Sequence, residues 1–231
     1  MLTPRRRRGI EILDDPSVDP TVRERSIGDV TRSNRWLGGL RAVAATFDEI
    51  LPTLPDGASI LDVGTGLADI PAHIRAIARS RNHRVATIGV DEAYSLLHTD
   101  RPRLDAAVCA NALALPFRDH SIDVVMCSQV LHHFEDDAAG RLLREMNRVA
   151  RRAVIVSDLR RSWIAAAGFW LVSFPLRFHR VTRHDGVVSV LRGFTAGDLQ
   201  RLVKTATGSA PSVRRRLGWR LTARWTPIHE S

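Results

Sequence analysis

At 231 residues the chain is long enough for one α/β domain with a substantial core, and 44% hydrophobic with 26% charged residues excludes a disordered polymer. No apolar run approaches the roughly 20 residues of a spanning helix, and Arg5 to Arg8 lead into no apolar segment, so no secretory signal is expected. The formal net charge of +9 invites a nucleic-acid partner, but Lys204 is the only lysine and the arginines are dispersed, which reads as solvated surface.

Residues 1–20, charged and punctuated by Pro4, Pro16 and Pro20, read as a mobile basic arm. Two helical patterns run from Thr21 to about Leu51, broken near Ser33-Asn34 and Gly38-Gly39, with Leu40, Val43, Phe47, Ile50 and Leu51 on one face. A loop at Pro52–Gly57 precedes a first strand, Ser59–Val63, and a helix, Ala68–Ser80, that holds Pro71 near its start. Strands follow at Arg84–Val90, Leu104–Cys109 and Ile122–Cys127, the last a continuous apolar run of the kind parallel sheets bury. A helix at Asp136–Ala150 and a strand at Ala153–Ser157 complete the alternation that implies βαβ units and a parallel sheet. Trp163–Leu176 is apolar between arginine clusters, and Thr195 with Asp198 marks a helix start. Ser212–Leu217 and Trp219–Trp225, separated by Gly218, read as a terminal antiparallel hairpin on the sheet edge. Cys109 and Cys127 sit in strand-like runs outside any metal-ligand spacing, so reduced core thiols, a cytoplasmic location and no metal are expected.

The stretch Ile60-Leu61-Asp62-Val63-Gly64-Thr65-Gly66-Leu67-Ala68-Asp69 carries the chemistry: a buried strand, an acid at its end and a glycine turn opening a helix. Such a turn brings bare backbone against a nucleotide-like ligand. A dinucleotide site needs a third glycine three residues after the second. Asp69 stands there instead and would repel a pyrophosphate. S-adenosylmethionine has no phosphate and carries a sulfonium and an amine, which suits carboxylates such as Asp62.

Leu61-Asp62-Val63-Gly64-Thr65-Gly66, Asp91, Asn111-Ala112 with Leu115-Pro116-Phe117, Asp123-Val124-Val125 and Leu131-His132-His133-Phe134, in this order, resemble class I S-adenosylmethionine-dependent methyltransferases. The likeness is greatest to the small-molecule branch of quinone, sterol and polyketide methyltransferases and runs from about Leu61 to Asp158. It implies a Rossmann-like seven-stranded, mostly parallel sheet with an antiparallel last strand, helices on both faces and an N-terminal helical lid. On that reading 21–231 is one domain, with a lid at 21–56, a cofactor-binding core at 57–158 and a substrate-side helix with closing strands at 159–231.

The resemblance implies that Gly64, Thr65 and Gly66 approach the methionine part of the cofactor and that Asp62 orients the turn or the amino group. It implies that Asp91, with Glu92 beside it, takes the ribose hydroxyls, that Asn111 and Ala112 hold the adenine, and that Gln129 lines the floor. Two positions depart from the family pattern, Ala68 for a glycine and Asn111 for an aspartate. His132 and His133 stand where an acceptor would be, as candidate bases near neutral pH, with His133 preferred. Trp36, Trp163 and Trp170, with His132, are candidate acceptor-lining residues, so a hydrophobic acceptor is expected, phenol, quinone or polyketide-like, with O- or C-methylation in secondary metabolism. An RNA-directed enzyme using the basic surface and a non-catalytic adenosyl-binding partner are the alternatives. Ser128-Gln129-Val130-Leu131 excludes the turns used for base N-methylation and cytosine C5 chemistry. The Trp163–Leu176 stretch would also suit peripheral contact with an anionic membrane, and either a monomer or a homodimer is compatible.

Overall fold

A computed structural model describes residues 3–7, 9–15, 17–97 and 104–228. Seven strands, β1 (Ala58–Val63), β2 (Val85–Asp91), β3 (Ala106–Cys109), β4 (Ile122–Ser128), β5 (Ala150–Leu159), β6 (Ser212–Arg216) and β7 (Arg220–Trp225), form one sheet in the order β3-β2-β1-β4-β5-β7-β6. β1 to β5 pair in parallel, and β7 runs antiparallel to both β5 and β6. The expected seven strands with an antiparallel last one are present. The closing hairpin does not lie wholly on the edge, however, because β7 inserts between β5 and β6. Its Leu221, Ala223 and Trp225 are buried, whereas β6 is a short arginine-rich strand, a composition that blunts an exposed edge.

Alternate residues of the central strands feed two apolar layers. Leu61, Val63, Val125, Val154 and Val156 pack with α5 (Asp136–Val149) and α8 (Ala196–Thr207). Ile60, Val124, Met126 and Ile155 pack with α2 (Gly39–Asp48) and α3 (Asp69–Ser80) on the other face. The start of α8 is a capping box between Thr195 and Asp198, as the sequence indicates. α1 (Pro20–Trp36), the short α4 (Tyr94–Leu97), α6 (Trp163–Ser173) and α7 (Arg180–Arg192) complete the helices, and none is long and apolar enough to cross a membrane.

Two features correct the sequence reading. α7 escaped it because apolar and polar residues fall all round the helix, which is packed against α6, α1 and the N-terminal segment at once. That N-terminal segment is not a free arm. The Arg7 N–H donates to Leu191 O, the N–H groups of Ile12 and Leu13 donate to the Asp185 carboxylate at 2.8 and 3.0 Å, and Arg161 Nε donates to Pro4 O. Residues 3–7 and 9–15 belong to a strap most of whose partners lie on α7, about 180 residues away in sequence, so local composition could not reveal them. Arg8 and Pro16, which belong to the expected arm, lie outside the described residues.

Candidate active site

The glycine turn is built by the end of β2. The N–H groups of Gly64 and Thr65 donate to Val90 O, and the Gly66 N–H donates to Asp91 Oδ2 at 2.8 Å. Gly64 and Gly66 both have positive φ, +72° and +52°, and a Cβ on Gly64 would overlap the γ-carbons of Val130. A Cβ on Gly66 meets nothing, so open space borders the turn there. Ala68 takes the left-handed region at φ +55°, which glycine adopts freely and alanine at a cost of about 1–2 kcal/mol. The departure at this position is therefore a matter of backbone conformation.

Asp62 lies behind this turn, buried, and its Oδ1 and the Thr65 Oγ1 have no hydrogen-bond partner among the described residues. Burial pushes the Asp62 carboxyl up to about 8; the Thr65 hydroxyl opposes the shift, and the charges of Asp69 and Asp91 add to it. A buried carboxyl near two other acids, with one oxygen unpartnered, is fitted to a cation, and the amine and sulfonium of S-adenosylmethionine supply one. The first residue of α3 is Asp69, whose carboxylate accepts from Asn34 Nδ2, so the helix end where a pyrophosphate would sit already carries a negative group. Asp91 gives its second oxygen to the Ala93 N–H, and each oxygen keeps a further acceptor site for a hydroxyl. Asn111 sits one strand over, its Oδ1 taken by the Leu113 N–H, with Ala112 beside it.

Gln129, just past β4, has φ +58°, a strained value for a non-glycine. Hydrogen bonds at both ends of its side chain hold it: Nε2 donates to Asn34 Oδ1, and Oε1 accepts from Arg220 Nη1 at 2.5 Å. Arg220 is itself buried, which lowers its guanidinium to about 10, opposed by the charge of Asp158.

At the ends of β4 and β5 the register Ser128↔Ser157 brings the next polar residues together. Asp158, fully buried, lies 2.7 Å from His132 Nδ1 and accepts from the His132 and Leu159 N–H groups. Burial opposes its charge, but His132 and these donors hold the Asp158 pKa below the usual carboxylate range. An ionised Asp158 is matched by a proton on His132 Nδ1, and Glu11 Oε1 lies 3.9 Å from Nε2. Nε2 is buried and has no hydrogen-bond partner among the described residues. His133 stacks on it with ring centroids 4.3 Å apart and faces Asp14 at 3.5 Å and Glu11 at 3.8 Å from the strap. Burial disfavours charge on His133, but Asp14, Glu11 and Asp158 together hold its pKa above the ordinary histidine value.

A cavity of about 510 Å³ joins these groups, reaching Asp91, Glu92, Gln129, His132 and His133, with Glu11 and Asp14 closing one side. The aromatic candidates lie elsewhere. Trp163 and Trp170 are exposed and border no part of this cavity, because Phe169 is the residue of α6 that points inward and its neighbours are turned about 100° away. Trp36 borders a separate outer groove. The structure adds Asn34, Asp158, Arg220 and Glu11. Asp158 had a readable signal as a polar residue at a strand end, and Asn34 opens the stretch Asn34–Gly39 that pairs a tryptophan with two glycines.

A sheet of this order, an acid–glycine turn after β1 and an acid ending β2 define the class I methyltransferase architecture. Residues 61–156 match the family model of the methyltransferase domain, and this segment is a class I S-adenosylmethionine-dependent methyltransferase domain. Over 124 residues the chain is 31% identical to the demethylmenaquinone methyltransferase of Roseiflexus sp. (strain RS-1), covering 50% of each. The chain thus spans about half the length of that curated relative. A SAM-dependent methyltransferase from Aquifex aeolicus superposes with TM-score 0.55 at 13% identity, over 79% of this chain and 89% of that one. The magnesium protoporphyrin IX methyltransferase from Synechocystis PCC 6803 with bound SAM gives TM-score 0.53 at 13% identity, over 94% and 88%. At such identities the likeness is one of fold.

Proposed function

We propose that this chain moves the methyl group of S-adenosylmethionine to an oxygen or carbon of a hydrophobic small molecule, with His132 as the base. The observation that carries the reading is the buried Asp158–His132 pair, which borders the cavity shared with Asp91 and Gln129. The cofactor supplies an electrophilic methyl group that needs little activation. Asp62, Gly64, Thr65, Gly66 and Asp91 would hold it, with Glu92 and Gln129 lining its path and Asn111 and Ala112 at the adenine end. His132 takes the acceptor's proton at Nε2, and Asp158 stabilises the resulting imidazolium through Nδ1–H. His133, held toward its charged form by Asp14 and Glu11, favours an acceptor that has become an oxyanion. The aliphatic and aromatic wall of Val130, Leu159, Phe169 and Val190 suits a lipophile, and the likeness to a demethylmenaquinone methyltransferase supports a quinone or phenol type.

The test is turnover of a panel of lipophilic phenols and hydroquinones beside small polar acceptors, followed by formation of S-adenosylhomocysteine. Methylation of lipophiles that is lost in His132→Gln is expected. Turnover of polar acceptors alone, or of none while S-adenosylhomocysteine still binds, would overturn the reading.

A further inference from the structure

Among the described residues, nine of the fourteen exposed large hydrophobic side chains lie on or near α6: Trp163, Ile164, Trp170, Leu171, Val172 and Phe174 around the helix and the turn after it, with Trp36, Leu217 and Trp219 across the groove it borders. Leu171 is 60% and Trp170 48% exposed, although α6 is apolar all round and such a helix is normally buried. Between α6 and the Trp36 and Trp219 turns runs an apolar groove of about 330 Å³. Its inner end is made by Leu159, Phe169, Val190 and Arg220, and these four residues also border the His132 cavity.

The charge on this face has one sign. Residues 30–47, 160–183 and 217–220, which line or flank it, contain none of the chain's 25 acidic residues. Arg35, Arg41, Arg177 and Arg180 are exposed and form no ion pair among the described residues. Guanidinium groups cover its aromatic rings: Arg7 over Trp163, Arg35 over Trp36, Arg160 over Trp219 and Arg183 over Phe174, 3.7 to 5.9 Å from the centroids. A second copy of the chain seated on this face by a two-fold axis would set these cations against their own kind. An anionic surface neutralises them, and tryptophans edged by arginine match the apolar–polar boundary of a bilayer.

We infer that this face docks on an anionic phospholipid bilayer and that the groove passes a membrane-dissolved acceptor to His132. The inference rests on the lipophilic acceptor proposed above and adds its source and its route. Phe169 stands between groove and cavity with its ring seated on Gly186, where any Cβ would collide with it, so a swing of this ring joins the two spaces.

The experiment uses the whole chain with phosphatidylcholine vesicles, with and without phosphatidylglycerol, in co-sedimentation. Binding to the anionic vesicles that weakens with added salt is expected. Arg177→Gln and Arg180→Gln should each weaken it about fivefold, and Leu171→Asp by more, with S-adenosylhomocysteine affinity unchanged in all three. Gly168 lines the groove and a Cβ there meets no other atom, so Gly168→Phe is the variant chosen to obstruct the groove. That variant should still bind vesicles and S-adenosylhomocysteine but methylate a vesicle-borne long-chain alkylphenol at least tenfold more slowly, a loss absent for a short water-soluble phenol. Equal partitioning to both vesicle types, or a Leu171→Asp variant that binds as wild type, overturns the docking. So does a dimer in light scattering that Leu171→Asp dissociates while vesicles are ignored. Unchanged alkylphenol turnover in Gly168→Phe overturns the route. If vesicle binding fails while detergent-dispersed alkylphenol is still methylated, the docking alone is refuted and the proposed reaction stands.

Discussion

Asp62 should make cofactor affinity depend on pH. Its carboxyl, buried at the end of β1, is pushed up to about 8, so below that pH the free protein holds it as the neutral acid. A ligand amine placed beside it favours the carboxylate, and Asp62 must lose its proton as the ligand arrives. Each pKa unit corresponds to about 1.4 kcal/mol, so ionising Asp62 at about pH 6, some two units below its pKa, costs roughly 2.7 kcal/mol. Affinity for S-adenosylhomocysteine should therefore rise about tenfold per pH unit between roughly pH 6 and 7 and level off near 8, where the ligand amine itself begins to titrate. Calorimetry at about pH 6 in two buffers of different ionisation enthalpy should show about one proton released per ligand bound. Asp62→Asn should abolish both the slope and the release and bind more weakly at pH 8. The same proton governs stability. The folded protein holds it up to about pH 8 and the unfolded chain only to about pH 4, so stability present below pH 4 is lost as pH rises toward 8. Asp62→Asn should thus raise the Tm of the unliganded protein at pH 8. A wild type that binds without releasing a proton, or a variant with the wild-type slope, would refute the argument.

Replacing Gly64 by alanine combines a left-handed φ, costing about 1–2 kcal/mol, with overpacking on Val130, costing about 1–3 kcal/mol. In chemical denaturation Val130→Ala added to Gly64→Ala should restore only the packing part. His132→Gln should lower turnover about 10²–10⁴-fold with S-adenosylhomocysteine affinity unchanged, whereas His133→Gln, which leaves the Asp158 pair intact, should lower it less. Glu11→Ala removes the carboxylate that accepts from Ser189 and Arg192, a loss of about 1–3 kcal/mol, and limited proteolysis should then cleave the strap at Arg5–Arg7 faster than in wild type.

The cofactor side was legible because its chemistry is local. A strand, an acid and two glycines lie within ten residues, and burial on both faces makes β1 and β4 read as continuous apolar runs. The acceptor side is assembled from residues far apart. His132 and Asp158 meet only because β4 and β5 pair in parallel and end together, a juxtaposition that strand order would have disclosed. Arg220 comes from β7 and carries no motif, and Asn34, beside Trp36 and the Gly38-Gly39 pair at the end of α1, gives no sign from spacing that it reaches Gln129 and Asp69. Trp163 and Trp170 were misassigned because an all-apolar helix offers no periodicity to say which side faces in.

The two ends of the cavity differ in charge in a way that sorts their occupants. Around the glycine turn, the charges of Asp69 and Asp91 bear on the buried Asp62 carboxyl, so a cationic cofactor is favoured there. At the β4–β5 end the acids are matched: Asp158 by His132, Glu11 and Asp14 by Arg192. The strap seals that end through Glu11 and its bonds to α7, so entry on that side means breaking a buried ion pair. The apolar groove beneath α6 asks only for rotation of Phe169, and on energetic grounds it is the path a lipophile would take.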